Sequence, residues 1–114
     1  MIELSKKTRK RLRELLTLAY TKELDQYLFD LSKKFDDWKN KKIDCWELNE
    51  NIHKFHDGIS RDLFNIYNGT GVDNIYLISR ALTKNLLRLE DIPDEATNVI
   101  QKCMCYNFSR RKVQ

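Results

Sequence analysis

Glycine and proline are nearly missing from this chain: there is one Pro and three Gly in 114 residues, and neither type occurs between Ser5 and Asn40. A sandwich, barrel or meander needs turn-forming residues about every 8 to 12 positions, so a many-stranded fold is excluded. What remains is an all-α chain. With 41% apolar and 33% charged residues, it is expected to form a single helical domain over residues 1–114 with a modest core. No stretch approaches the ~20 apolar residues of a membrane-spanning helix, and the opening MIELSKKTRKRLREL lacks the apolar centre of a leader. Three cysteines, an odd number, point to a reducing compartment rather than a disulfide framework. A soluble cytoplasmic protein without a membrane attachment is the expectation.

The periodicity of the apolar residues predicts about four helices, a long N-terminal helical hairpin followed by two shorter ones. Ser5 can cap a first helix that runs to about Asn40. Along its later half Leu24, Tyr27, Leu28, Leu31, Phe35 and Trp38 form one stripe, whereas the earlier set of Leu4, Leu12, Leu15 and Ala19 falls on nearly the opposite side. The stripe therefore swings round near Tyr20 and Thr21, where the helix bends or its two halves meet different neighbours. Asp44, with Glu47 three positions on, starts a second helix. Its apolar residues Cys45, Leu48, Ile52, Phe55, Ile59, Leu63 and Ile66 are spaced 3, 4, 3, 4, 4 and 3 apart, and it ends at Asn68-Gly69-Thr70-Gly71. A third helix is expected from about Asp73 to Leu89, carrying Ile75, Ile78, Leu82, Leu86 and Leu89. Pro93 suits the first turn of a fourth, with Ala96, Val99, Ile100 and Cys103 facing inward and a frayed basic tail over residues 109–114.

The formal charge of +4 conceals an uneven distribution. Residues 1–13 hold six basic groups against Glu3, residues 102–114 hold four with no acid, and the middle carries five more acids than bases. Lys6, Arg9, Lys10 and Arg13 share one face of the first helix, and Arg110, Arg111 and Lys112 lie in the tail. These seven residues are the candidate contacts to an acidic protein partner or to nucleic-acid phosphates. The basic segment has no interleaved aromatics and no Asn or Gln to read bases, so any nucleic-acid binding would be led by the backbone. Leu4, Leu12, Leu15 and Ala19 need cover that three further helices do not obviously supply, which predicts a homo-oligomer.

A second candidate site lies on the second helix, where His53, His56, Asp57 and Arg61 fall close together and Glu50-x-x-His53 has a spacing seen among metal ligands. A metal-dependent hydrolase or nuclease is the alternative function that this cluster suggests. Against it, Glu50 with Lys54 and Asp57 with Arg61 are acid-before-base pairs four apart, the ordinary furnishing of a solvated helix face. Neither a second E-x-x-H nor further inward carboxylates complete a di-metal bundle, and Cys103-x-Cys105 places its thiols on opposite sides of a helix. His56 is accordingly expected at the border of the core, holding a hydrogen bond rather than a metal. Trp46, Phe64 and Tyr67 make a second apolar edge, expected to be covered if this helix is central in the bundle. No phosphate loop, nucleophile elbow or dinucleotide fingerprint occurs, so neither a cofactor nor a metal is expected. The reading that results is a small interaction or regulatory protein, more a binder than an enzyme.

Overall fold

The computed structural model describes residues 4–69, 71 and 73–113, with side chains described as far as Met104. Helix α1 spans Lys6–Lys39, α2 Cys45–Lys54, α3 Arg61–Asn68, α4 Asn74–Thr83 and α5 Asp94–Val113. A six-residue π turn, Phe55–Ser60, joins α2 to α3 without interruption, so that these two form one helical rod. Counted as rods there are four, with no strand among the described residues.

The helix starts follow the capping chemistry of the sequence. The Ser5 hydroxyl oxygen accepts the Thr8 N–H at 3.2 Å, and Asp44 accepts the Glu47 N–H at 2.8 Å. Asp73 likewise accepts the Ile75 N–H at 2.9 Å at the start of α4. Helices α1 and α4 end alike. Lys41 and Asn85 take left-handed conformations (φ 60° and 61°), and the next residue bonds back to a carbonyl five positions earlier, Lys42 to Asp37 at 2.8 Å and Leu86 to Ala81 at 2.9 Å. Helix α4 thus stops at Thr83, six residues short of the expected Leu89. The left-handed turn at Asn85 lets the adjacent Leu86 and Leu87 both point inward, 3% and 4% exposed, which a continuous helix would not allow.

Two compact units share α1: residues 1–19 with 70–114, and residues 20–69. The boundary falls where the apolar stripe changes side. Helix α1 is continuous there, so its two halves meet different neighbours rather than being separated by a break. In the first unit α4 lies on α5, and Leu12, Leu15, Ala19, Ile78, Ala81, Ala96 and Ile100 are each at most 2% exposed. The leucines expected to need a second chain are therefore covered within one, because α4 and α5 belong to the same unit as the start of α1. The second unit is an antiparallel hairpin of the distal half of α1 and the α2–π–α3 rod. Tyr20 at its open end stacks on Tyr67 with ring centres 4.7 Å apart, and the Tyr67 hydroxyl donates to the buried Glu23 carboxyl at 2.8 Å.

Candidate functional site

Three regions compete as the functional site, and each can be built from its side chains. The first is the basic start of α1. Lys6, Arg9, Lys10 and Arg13 are all exposed and make no ion pair with any described residue, whereas Arg11 pairs with Glu14 at 3.4 Å. Their i, i+3, i+4, i+7 spacing places four unpaired cations along one face of a straight helix. Beside them lies an open cleft of about 540 Å³ between the starts of α1 and α5, lined among others by Lys7, Lys10, Arg11, Glu14, Asp94 and Glu95. Three cations and three acids make it a mixed surface rather than an anion pocket. The N-terminus of α1, where an anion would sit most favourably, is filled by the chain itself. Glu95 takes the Ser5 N–H at 2.5 Å and the Ser5 and Thr8 hydroxyls at 2.9 and 2.8 Å. The Ser5 N–H foremost, then the Thr8 and Ser5 hydroxyls, hold the Glu95 carboxyl below its ordinary value of 4.5. Arg110, Arg111 and Lys112, the other half of the expected cationic surface, have side chains outside the described residues, although α5 continues through them to Val113 instead of fraying at 109.

The second region is the histidine segment. His53, His56, Asp57 and Arg61 are all exposed. His56 makes no hydrogen bond to any described residue, which corrects its expected place at the core border. The physical reason is the π turn that contains it. Bonding from i to i+5 absorbs one extra residue, so every side chain beyond it lies about 100° from where a straight α-helix puts it. Glu50 and Lys54, before the turn, form their expected pair at 3.3 Å, whereas Asp57 and Arg61, in and after it, do not meet. The same shift separates Trp46 from Phe64, which lie 18 residues, or five full turns, apart on a straight helix. Among the described residues no three His, Cys, Asp or Glu side chains assemble into a group that could hold a metal. Cys105 lies outside the described side chains, while Cys45 is exposed and Cys103 half-buried, both as free thiols.

The third region is the apolar exterior of the hairpin. Trp46 is 76% exposed, Phe29 64% and Phe64 57%, with Trp38, Leu28, Ile59 and Phe35 between 36% and 43%. The expected central burial of Trp46 and Phe64 is thus overturned; of the second apolar edge only Tyr67 is partly covered. A two-helix unit has one contact face per helix, and the remaining aromatics point outward. Phe29 carries the Lys33 ammonium 5.0 Å from its ring centre, and Lys33 also lies 3.9 Å from Asp30. What the periodicity concealed here is Glu23. It is 3% exposed and sits one turn after Ala19, a position that the apolar column alone would assign to a hydrophobe. The chain matches no known protein family, no curated protein and no solved structure. No described helix is long and apolar enough to cross a membrane.

Proposed function

We propose that the chain is a helical interaction or regulatory protein that self-associates through its hairpin unit and uses the basic start of α1 to hold an acidic protein surface or nucleic-acid phosphates. The observation that carries this reading is the concentration of exposed aromatic side chains, Phe29, Phe35, Trp38, Trp46 and Phe64, on one 50-residue unit. At ~150 to 250 Å² per aromatic side chain, their exposed fractions amount to roughly 550 Å² of aromatic surface, near the upper end of the largest apolar patch on an ordinary monomer. The hydrolase reading gains no comparable support, because its four residues are solvated and lie on both sides of a phase shift.

Light scattering of the purified chain from ~1 μM to ~1 mM tests the self-association. A mass that rises with concentration is expected, and a single-chain mass throughout overturns it. The charged face has its own test in a salt titration with duplex and single-stranded nucleic acid. If Lys6, Arg9, Lys10 and Arg13 each neutralise one phosphate, log affinity falls with log salt at a slope of roughly 3 to 4. Absence of binding at ~50 mM salt assigns the face to an acidic protein surface instead.

A further inference from the structure

The outer face of the distal half of α1 reads almost the same in both directions. Asp25, Leu28, Phe29, Ser32, Phe35, Asp36 and Lys39 are spaced 3, 1, 3, 3, 1 and 3 apart, a palindrome of positions centred on Ser32, and all seven are exposed. At ~100° per residue Asp25 and Lys39 fall within ~20° of the line through Ser32, one two turns before it and one two turns after. Leu28 and Phe35 lie together on one side of that line by ~40° and ~60°, and Phe29 and Asp36 lie on the other. The centre is small, and its hydroxyl is satisfied internally, donating to the Phe29 carbonyl at 2.6 Å, so a second helix can approach there without stranding a polar group. Asp25 and Lys39 have no ion-pair partner among the described residues.

We infer that this face docks against the same face of a second copy of the chain, the two helices running antiparallel about a two-fold axis at Ser32. This inference rests on the self-association proposed above and names its surface and register. Reversal about Ser32 sets Asp25 beside Lys39 of the second copy, and by symmetry Lys39 beside its Asp25. Leu28 then meets Phe35 of the second copy, again twice, while the two Ser32 residues mark the crossing point. A parallel pairing would set Asp25 against Asp25 and Lys39 against Lys39, so charge selects the antiparallel order. The interface is isologous, as closed two-fold dimers require, and its modest apolar content makes it a weak, concentration-dependent one.

Sedimentation equilibrium of the full chain reads the dimer dissociation constant. Asp25→Lys and Lys39→Asp each place like charges opposite one another twice per dimer, and each should weaken it about tenfold. The double exchange D25K/K39D restores opposite charges in the reversed sense and should return the constant to within about threefold of the wild type. These positions are exposed, so the helical circular dichroism should not change. If the wild type dimerises but the double variant stays as weak as the singles, or the singles change nothing, the register is wrong and self-association belongs to another surface of the hairpin. A wild type that stays monomeric to ~1 mM overturns both the register and the self-association.

Discussion

Twelve of the fourteen buried apolar side chains among the described residues belong to the unit of residues 1–19 and 70–114, and only Leu48 and Leu63 belong to the hairpin of residues 20–69. The exposed large apolar side chains run the other way: seven lie on the hairpin, and Leu18, Tyr76 and Leu89 on the first unit. Both units are built from amphipathic helices of similar composition, so hydrophobicity alone does not separate them. What differs is the number of faces covered. Three helical segments can surround a common core, whereas two helices leave the flanks of each open. The first unit is therefore where the chain places its stability, and the hairpin is where it places surface available to another molecule.

The sharpest way to break this contrast is to remove a side chain from each unit. Ile78, 0% exposed, should cost ~2 to 5 kcal/mol on truncation to Ala, because the lost transfer energy is joined by a cavity that the surrounding helices do not fill. Trp46→Ala, at a residue 76% exposed, should stay within ~0.5 kcal/mol despite deleting a larger side chain. Chemical denaturation of the two variants decides it. Equal losses would mean that the hairpin is covered in solution by something that the single chain does not supply.

Within the hairpin the largest single polar effect is expected at its open end. Tyr67→Phe keeps the ring against Tyr20 but deletes the hydroxyl that donates to buried Glu23 at 2.8 Å, and the expected loss is ~1 to 3 kcal/mol. Hydrogen exchange localises the consequence. Amides of α2 and α3 should exchange faster in the variant, while those of α4 keep their protection. Uniform acceleration along the chain would show that the two units open together.

How far the sequence foretold this arrangement depends on the range of each interaction. Ser5, Asp44 and the Asn68–Gly71 break were readable because a cap or a glycine turn acts over two to four residues. The rotation of the stripe near Tyr20 was readable too, and it marks the boundary between the units. The π turn was not: one additional residue in a turn leaves spacings of three and four intact, and Gly58 in its middle was the only local sign. That one residue moved His56 off the core border and parted Asp57 from Arg61. The Glu95 clasp was equally hidden, since 90 residues of chain separate it from Ser5. Leu77, 2% exposed, escaped because its neighbour Ile78 already satisfied the helical period.

The clasp distinguishes the first unit in its response to acid. The folded Glu95 carboxyl titrates below its ordinary 4.5, so the unfolded chain binds the proton more readily and protonation favours unfolding. Its contribution is fully present above the unfolded value and is lost as pH falls through the folded one. Glu95→Gln should therefore be less stable than the wild type at pH 7, and the gap should close as the pH is lowered below the ordinary carboxylate range. A gap that is constant with pH would assign the effect to packing rather than to the charge on Glu95. Because the group is exposed, added salt should reduce the gap at pH 7 as well.

The smallest effects compare the same helix ending in the two units. Lys41 in the hairpin and Asn85 in the first unit both adopt left-handed backbone with nearly equal φ, and both close the same pair of reverse hydrogen bonds. For a residue with an ordinary side chain this conformation costs roughly 1 kcal/mol or more, because Cβ crowds the carbonyl oxygen, whereas Asn tolerates it better through its short polar side chain. Lys41→Gly should accordingly stabilise the chain by about 1 kcal/mol, and Asn85→Gly by only a few tenths. The inequality is the test. If Asn85→Gly gains as much as Lys41→Gly, the energy at these turns is set by backbone freedom in the unfolded chain and not by strain at Cβ. If Lys41→Gly gains nothing, the Lys41 side chain contributes at the hairpin tip in solution as much as its backbone costs.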